Sequence, residues 1–583
     1  MKSVKLLFSV IFLLVSSVFA QDMQYVHSQS GDTLVVKDDL EFGSTNTLYN
    51  LMVSDSLAPA SRVYVLQDGG IYSIVNNPVT SKTHRTIIMG QTQSSLKLSK
   101  GTPPPILSGS YATGVNTTGG INVNYDLLIK NCDIEIANSA GSIGWGFFGF
   151  NGSGNRIQID NCIIEHNWWT VIGGPPSNTR IFFTNDYLVN LDGHTCRRNG
   201  GVLDFFAAED TIWVENCTHV NTQGSLWKFR FGDPVNKTLF NHNDFIDNSG
   251  YCLMNNGDVT NMSVTNNIFV NSQLQAYCPV LAGVDVGEVD PDGLPMGLVN
   301  VRVDSVFNAR GKNFYADKNL AYWDPSLSDI VSTLNTNAVN GNTEWVSQMI
   351  PMNTRTAGLF ADKTSYPLLT NGTWITDKLP TFTETADLFT TQLAIVKAFA
   401  IATVDTTYGT PMPSWRQPGN EEAANFIYAD WPIPVDLSYS DADLMTAGLN
   451  GFPLGDLGWF PDKYAEWMAQ RDAEVAQIDD VLKNGTAVKE LPGTPVSYQL
   501  SQNYPNPFNP TTVINFTIPK AGNVTLKVYN SLGQEVATLV NGYKDASNYK
   551  VDFNSSNLSS GVYFYTLKVG NNFTQTKKMV LIK

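Results

Sequence analysis

The sequence of 583 residues predicts an all-β protein: a right-handed parallel β-helix, then a partly helical wrap segment, then a small C-terminal β-sandwich. Three observations lead to this prediction. A short phrase that closes on Asn recurs through the first half of the chain, apolar residues alternate with polar ones before each copy, and short apolar runs separated by turn residues fill the last part. Alternation with a period of two is the pattern of a β-strand with one buried face.

The chain begins with a predicted secretory signal. Lys2 and Lys5 precede a short apolar run, and Val18 and Ala20 occupy the small-residue positions that precede a signal-peptide cleavage site. We therefore expect a signal peptide at residues 1–20. An uncleaved anchor is the alternative, but the apolar run is short for a membrane span. No later segment of the sequence is long and apolar enough for a transmembrane helix, so we expect a mature protein that is not membrane-integral.

The charge balance argues against nucleic acid as a partner. The chain has 37 Lys and Arg against 53 Asp and Glu, which gives a net charge of −16. The sequence shows no cluster of basic residues that could neutralise a run of phosphates. We therefore expect no nucleic-acid partner.

The repeated phrase predicts the β-helix. Each copy has an apolar residue, a spacer, Asn or His, then Cys, Asn or Asp, and a short stretch that closes on Asn, as in "VENCTHVN" from Val214. The copies lie 24 to 31 residues apart, and a strand, a polar turn and a second short strand at this spacing are typical of a parallel β-helix. We call the Asn or His the marker residue of its coil. The six markers are Asn131, Asn161, Asn185, Asn216, His242 and Asn266.

Stacking explains the composition of the phrase. Successive coils lie about 4.8 Å apart, so residues at the same position form a column. We expect the marker amides to pass hydrogen bonds from coil to coil, because buried polar groups need partners. Cys132, Cys162 and Cys217 follow three of the markers, and we interpret them as small side chains tolerated where the strand bends into the core. A disulfide framework is the alternative, because the chain is expected to be exported and has six cysteines.

A further strand in each coil predicts an unusually apolar outer surface. It lies upstream of the next marker, as in "VLDFF" from Val202 and "WKFRF" from Trp227. Such a surface is either covered by another part of the chain or forms a groove for a ligand. We expect a cover formed by residues 330–484. The residues predicted to face outwards are Phe147, Val171, Leu203, Phe205, Lys228, Arg230, Cys252 and Met254.

The upstream segment resembles a known class of β-helix proteins. "RVYVLQDGGIYSIV" from Arg62, "RTIIMGQ" from Arg85 and "PPPILSG" from Pro103 resemble the opening turns of pectate-lyase-like proteins. The resemblance covers residues 22–330, and it implies a fold rather than an activity.

Residues 331–484 are predicted to wrap and cap the β-helix. Gly455, Asp456 and Trp459 resemble the Gly-Asp-x-x-Trp element that closes the domain in uncharacterised bacterial β-helix proteins. An amphipathic helix is predicted from Pro461 to Asn484, because Pro suits a helix start and Gly follows its end. Its apolar positions are Tyr464, Met468, Val475, Ile478 and Leu482.

The C-terminal part carries the most specific motif. Asn-Tyr-Pro-Asn-Pro-Phe-Asn-Pro from Asn503, Gly-Gln-Glu-Val from Gly533 and Ser-Gly-Val-Tyr from Ser560 occur in this order before Lys583. Residues 498–583 therefore resemble the type A C-terminal sorting domain of type IX secretion substrates, a small Ig-like β-sandwich. The resemblance implies export by the type IX secretion machinery, removal of the tail, and a mature protein that is released or anchored at the outer-membrane surface.

The predicted domain organisation has five parts. Pro492 and Pro495 favour an exposed linker between the wrap segment and the sandwich. The parts are the signal peptide (1–20), the parallel β-helix (22–330), the wrap segment with its C-terminal amphipathic helix (331–484), the linker (485–497) and the sorting domain (498–583).

The sequence offers weak candidates for catalysis. Polysaccharide lyases of this fold need a base, commonly Lys or Arg, and a cation that stabilises the enolate. Lys228 and Arg230 are predicted to share an outward strand face, and Arg197 and Arg198 lie in the preceding coil. Asp204 is predicted to face inwards, so that only a one-residue register error would place it beside them. The alternative is that these residues form a structural network.

A metal site has one weak candidate. "DVGEVDPDG" gathers acidic residues in a loop, and Asp285, Asp290 and Asp292 are the residues that could bind calcium. The loop lacks the closing Glu of an EF-hand, so an ordinary solvated loop is the alternative. No other cofactor is predicted.

These observations lead to a functional hypothesis. We expect a secreted or cell-surface β-helix protein that engages extracellular polysaccharide without catalysis. The alternative is a polysaccharide lyase of the pectate or alginate type that acts by β-elimination.

Overall fold

The computed structural model describes residues 23–55, 57–74, 80–109, 120–136, 146–165, 170–191, 201–205, 207–229, 235–255, 260–274, 276, 294–301, 312–337, 345–402, 431–485, 489–491, 498–544, 547–570 and 573–583. The chain divides into two compact units. The first comprises residues 1–366 and 371–469, and the second comprises residues 367–370 and 470–583. The predicted signal peptide lies outside the described residues.

The first unit contains the predicted parallel β-helix, which is built from three sheets. In sheet 1 the described strands are Val26–Ser30, Thr33–Val36, Val63–Leu66, Thr86–Gly90, Leu127–Lys130, Arg156–Asp160, Arg180–Thr184, Glu209–Glu215, Val235–Asn241, Asn261–Thr265 and Asn313–Asp317. In sheet 2 they are Ile71–Ser73, Ile106–Ser108, Asp133–Glu135, Ile163–Glu165, Tyr187–Val189, Thr218–Val220, Asp244–Ile246, Ile268–Val270, Asn319–Tyr322 and Trp374–Ile375. In sheet 3 they are Ile121–Val123, Phe148–Phe150, Ile172–Gly173, Leu203–Asp204, Trp227–Phe229 and Leu253–Asn255.

Alternation along the strands of sheet 1 builds the interior of the β-helix. Leu127, Ile157 and Ile181 are in register on successive coils and are fully buried. The residues between them, such as Arg156 and Gln158, point to the opposite side and are half-buried. The period of two that predicted these strands is therefore confirmed.

Each marker residue turns the chain from sheet 1 to sheet 2 in the left-handed backbone conformation. The angle φ is 56° at Asn131, 53° at Asn216 and 55° at His242. The Asn that closes the phrase repeats this conformation after sheet 2, with φ of 52° at Asn190 and 51° at Asn221. Asn tolerates the left-handed region better than most residues that carry a Cβ. The phrase therefore encodes two left-handed turns in the coils of Asn185, Asn216 and Asn266, and in the coil of His242 the second turn is at Asp247.

The marker side chains hold the segment that covers the turn. Asn216 accepts a hydrogen bond from the backbone N–H of Leu457 at 3.2 Å, and Asn266 accepts one from the N–H of Leu449 at 2.7 Å. These bonds tie the wrap segment to the column of markers.

A continuous amide ladder lies one position after the markers. The Asn243 side-chain amide donates to Oδ1 of Asn267 at 2.9 Å, and the Asn267 amide donates to Oδ1 of Asn319 at 3.0 Å. The ladder was predicted at the markers. There the side-chain amide of Asn161 donates a hydrogen bond to Oδ1 of Asn131 on the neighbouring coil at 2.7 Å. The longer ladder is displaced because the residue after the left-handed turn is the first whose side chain enters the core.

Cysteines occupy the ladder position in earlier coils. The four cysteines among the described residues are free and buried: Cys132, Cys162, Cys217 and Cys252. Burial raises the pKa of all four thiols, which keeps them protonated and unreactive. The backbone N–H of Cys217 donates to Oδ1 of Asn243 at 3.0 Å, so the cysteine coil adjoins the ladder. The stacking interpretation is confirmed for Cys132, Cys162 and Cys217. Cys252 lies beside sheet 3, and Cys196 and Cys278 lie outside the described residues.

Sheet 3 shows that one register prediction was wrong. Leu203 pairs with Trp227, and Asp204 pairs with Lys228. Leu203 and Phe205 therefore lie on the side of Trp227, which faces the interior, and not on the outward side as predicted. Asp204 faces outwards beside Lys228. The strand Leu203–Asp204 is shifted by one residue from the alignment that the sequence predicted. Such a shift reverses the face of every side chain in the strand.

The outer surface of sheet 3 is buried at Phe147, Val171, Lys228, Cys252 and Met254, which were predicted to face outwards, whereas Asn122 and Gly149 are half-buried. Val171 and Cys252 are fully buried, and Met254 packs with Tyr251 and Met296. Met296 lies in the segment 294–301, so the described cover at Met254 comes from a part of the chain outside the expected segment.

The wrap segment packs on the outer face of sheet 2. Tyr187, Val220 and Ile268 of that sheet share one apolar cluster with Leu437 and Trp459. The short strands of the segment are Phe382–Glu384 and Asp436–Tyr439, which pair antiparallel. The described α-helices of the first unit are Asp39–Phe42, Thr47–Ser54, Ile330–Asn337, Thr354–Ala361, Leu393–Ala402 and Pro461–Met468.

The helix predicted from Pro461 to Asn484 is two helices, Pro461–Met468 and Arg471–Asn484. The break falls at the boundary of the two units. In the first helix Trp467 is buried in a cluster with Phe452 and Leu457, whereas the predicted core residue Met468 is 49% exposed. The break makes the predicted helical spacing invalid across the two halves.

The second unit contains the C-terminal β-sandwich. Alternate residues of its strands are buried, as in Val524, Leu526 and Val528. One sheet has the order Lys489–Leu491, Ser547–Asn554, Thr511–Ile518 and Gln499–Leu500. The other has the order Glu535–Lys544, Gly522–Asn530, Gly561–Val569 and Phe573–Leu581. The strand Lys489–Leu491 lies in the predicted linker, whose Pro492 and Pro495 lie outside the described residues.

The amide ladder leads to the first prediction. Asn267→Ala removes the hydrogen bonds to Asn319 and to the carbonyl of Phe240, and leaves the N–H of Asn243 without its acceptor. We expect the free energy of unfolding of the β-helix to fall by about 3 kcal/mol, because buried polar groups lose their partners. Asn236→Ala, at an exposed position of sheet 1, is the control and should change stability by less than about 0.5 kcal/mol in the same urea titration. Equal effects of the two variants would contradict the ladder.

Candidate functional site

The first predicted catalytic residue is part of a buried ion pair. Nζ of Lys228 lies 3.2 Å from Oδ2 of Asp204 on the neighbouring coil, and the two side chains are 2% and 5% exposed. A buried lysine of this kind is not accessible to a polymer in the described structure. The arrangement favours the structural network that the sequence left as an alternative.

The other predicted site residues lie outside the described residues. They are Arg230, Arg197, Arg198, Asp285, Asp290 and Asp292. Within the part of the chain that is described, no group of three His, Cys, Asp or Glu side chains is placed to hold a metal ion.

The outer face of sheet 1 carries a column of basic residues. Arg156 and Arg180 are in register on adjacent strands, and Arg85 holds the equivalent position before Thr86. All three guanidinium groups are half-buried. We call this part of sheet 1 the basic face. Its residues are Arg85, Asp126, Lys130, Arg156, Gln158, Asp160, Arg180, Phe182, Trp213 and Lys237.

The guanidinium groups of the basic face converge on one another. Arg85 and Arg156 both donate to Oε1 of Gln158, at 3.2 and 3.1 Å. Burial lowers the pKa of Arg156, and the positive charges of Arg85 and Arg180 lower it further. Oδ1 of Asp126 lies 3.9 Å from Nη2 of Arg180, and it accepts a hydrogen bond from the backbone N–H of Arg156. The column therefore concentrates positive charge on a protein whose net charge is strongly negative.

Aromatic rings hold the cations in place. The guanidinium carbon of Arg156 lies 4.2 Å from the centre of the Phe182 ring, and Nζ of Lys237 lies 5.3 Å from the centre of the Trp213 ring. The rings of Phe182 and Trp213 are 6.2 Å apart. A cation above the face of an aromatic ring is attracted to it, and this attraction favours one position of the cationic group. The basic face is thus preorganised.

Clefts flank the basic face on both edges. One, of about 310 Å³, is lined by Arg62, Lys82, His84 and Arg85 among others. The other, of about 200 Å³, is lined at this face by Lys130 and Asp160, which form an ion pair of 2.8 Å, and by Tyr464. Burial raises the pKa of Tyr464 to about 12, so its hydroxyl remains a hydrogen-bond donor. Each cleft therefore borders residues of the basic face.

The sequence contains a signal for this face. Arg156, Arg180 and Lys237 each stand five positions before the marker of their coil. The same alignment that predicted the buried columns would place these cations in one outward column. The flanking clefts leave no such signal, because they depend on distant segments of the chain.

Comparison with known proteins identifies the C-terminal part. Residues 502–583 match the secretion system C-terminal sorting domain. The sorting domain supports export by the type IX secretion system and a secreted or cell-surface protein. No curated protein and no solved structure matches the chain, so the resemblance to pectate-lyase-like proteins is not confirmed. Among the described residues, no helix has the length and apolarity needed to cross a membrane.

The buried pair leads to the second prediction. Lys228→Ala leaves the carboxylate of Asp204 buried beside the space of the missing ammonium group. We expect the free energy of unfolding to fall by about 3 to 5 kcal/mol, because an uncompensated buried charge is strongly destabilising. Lys228→Met combined with Asp204→Leu removes both charges and should recover most of the loss, measured by thermal unfolding. A lyase role for Lys228 would instead leave the stability of Lys228→Ala unchanged.

Proposed function

We propose that the protein is a type IX secretion cargo that binds an acidic extracellular polysaccharide through its basic face, without cleaving it. The observation that carries the proposal is the column of Arg85, Arg156 and Arg180, held in mutual repulsion on an acidic protein. A carboxylate from outside the protein would relieve this repulsion.

The geometry of the column supports a polymeric ligand. The column runs across the strands of sheet 1, and neighbouring strands lie about 4.8 Å apart. A chain of charged sugars that lies along the axis of the β-helix would therefore meet Arg156 and Arg180 on adjacent coils, with Arg85 two coils before Arg156 and Asp126 in the coil between them. Guanidinium groups suit this role because their planar donors match a carboxylate with two parallel hydrogen bonds.

The sorting domain supports an extracellular or cell-surface location for such binding. A protein that leaves the cell through the type IX system meets the polysaccharides of the surroundings or of the cell surface. Uronate polymers suit the basic face because they carry a carboxylate on successive sugars, and the alternative function, a lyase, would act on the same polymers.

The third prediction tests binding at the basic face. Arg156→Gln combined with Arg180→Gln removes two adjacent cations and keeps hydrogen-bonding side chains. We expect the affinity of the purified protein for polygalacturonate or alginate to fall at least about tenfold in isothermal titration, because each charge-assisted contact contributes about 1.5 to 3 kcal/mol. Binding of the wild-type protein should weaken as salt is raised.

Controls separate this proposal from its alternatives. Lys100→Gln combined with Lys520→Gln removes the same charge at exposed positions outside the basic face and should leave the affinity unchanged. An equal loss in both double variants, or equal binding of a neutral glucan, would contradict the basic face as the site. Release of unsaturated uronate products by the wild-type protein would favour the lyase.

The fourth prediction concerns the sorting domain. Protein recovered from the medium or surface of the native cell should lack residues 1–20 and most of residues 498–583, since the tail is expected to be removed after export. Intact-mass measurement of the secreted material checks this, and a chain ended before Tyr498 should stay inside the cell envelope. Secreted protein that still carries the full tail would contradict the prediction.

A further inference from the structure

Lys97 and Asp456 meet in the interior of the first unit. Lys97 follows the sheet 1 strand Thr86–Gly90, and Asp456 belongs to the Gly-Asp-x-x-Trp element of the wrap segment. Nζ of Lys97 is in direct contact with Oδ2 of Asp456, and the side chains are 1% and 0% exposed. Removal of both groups from water is costly, and ion pairs buried this completely are rare.

Neighbouring groups hold the two side chains in fixed positions. Nζ of Lys97 donates to the carbonyl of Asn216 at 2.7 Å. Oδ2 of Asp456 accepts from the hydroxyl of Thr218 at 2.7 Å, and Oδ1 accepts from the N–H of Gly458 at 2.7 Å. A Cβ at Gly458 would lie 3.2 Å from Cδ of Lys97, so the glycine leaves room for the lysine chain. The amine and the carboxyl group are therefore preorganised for reaction with each other.

A second carboxyl group lies beside the pair. Oδ1 of Asp244 accepts from the backbone N–H of Asp456 at 3.2 Å, and Asp244 is itself buried. Burial raises the pKa of Asp244 well above its ordinary value, and the charge of Asp456 raises it further. Burial also raises the pKa of Asp456, although Lys97 opposes that change. The site therefore favours at least one protonated carboxyl group next to the amine.

We propose that Lys97 and Asp456 condense to an intramolecular isopeptide bond, with Asp244 as the proton carrier. The ammonium group first gives a proton to the carboxylate within the pair, which yields a neutral amine and a carboxylic acid. The nitrogen then attacks Cγ of Asp456 and forms the new C–N bond. Asp244 takes a proton from the nitrogen and gives one to the departing hydroxyl group.

The products are one amide and one water molecule, and Asp244 ends in its starting state. No oxidant, metal or further reactant is needed. The low polarity of the site favours the reaction, because the neutral amide replaces two charges that are costly to bury. Positioned acid and base groups accelerate such proton transfers.

The bond joins two distant parts of the chain. It would tie the loop that carries Lys97 to the wrap segment, and so fix the cover on the outer face of sheet 2. A covalent tie stabilises a fold chiefly by restricting its unfolded state. It resists both reduction and proteolytic opening, which suits a protein that works outside the cell.

Peptide mapping of the purified full-length chain tests the proposal. The protein is unfolded, digested with trypsin and analysed by tandem mass spectrometry. We expect a branched peptide in which the chain is not cleaved after Lys97. Its mass should be one water molecule less than the sum of the linear peptides that contain Lys97 and Asp456. Cleavage after Lys97 together with an unmodified Asp456 peptide would overturn the proposal, and this reading does not depend on any variant.

Variants assign the roles. Lys97→Arg should give no branched peptide, and Asp244→Asn should slow its formation after refolding by at least about tenfold. Asp204→Asn, at the other buried ion pair, is the matched control and should leave the yield of branched peptide unchanged. Circular dichroism establishes that each variant folds. An undiminished rate in a folded Asp244→Asn variant would overturn the role of Asp244.

Discussion

The left-handed turn at each marker residue is the constraint on which the β-helix depends. A single residue with positive φ, such as Asn131 or Asn216, takes the chain from sheet 1 to sheet 2. Because the turn is this short, the coils keep a constant shape there while the loops elsewhere vary in length. The residue after the turn always enters the core at the same place. The interior column of cysteines and amides follows from this repetition.

The same turns also position the wrap segment. The marker amides of Asn216 and Asn266 accept hydrogen bonds from the wrap, and the carbonyl of Asn216 accepts the one from Lys97. Nδ1 of His242 lies 3.2 Å from the carbonyl oxygen of Gly455. One structural position thus serves the backbone turn, the contact between coils and the attachment of the cover. This shared use explains why the sequence phrase is preserved from coil to coil although the rest of each coil differs.

Much of this fold could be predicted from the sequence, because its periodicities act locally. The alternation around Ile157 and Ile181 showed the strands, and the repeat of Asn showed the turns. The error at Leu203 was avoidable, since Phe148, Ile172, Leu203 and Leu253 all stand thirteen positions before a marker. The cover of sheet 3 by Met296 and the contact of Lys97 with Asp456 could not be predicted, because they join segments with no common pattern. The basic face could be predicted only in part. Its cations share one column of the alignment, whereas its clefts depend on distant segments of the chain.

The amide ladder gives the β-helix a mechanical polarity. At the position after the marker, the coils from Asn243 to Asn319 are joined by side-chain amide hydrogen bonds, whereas Cys132 and Cys162 supply no amide there. The force needed to peel one coil from the next should therefore rise towards the C-terminal coils. The C-terminal coils should be the last to separate when the two ends of the β-helix are pulled apart.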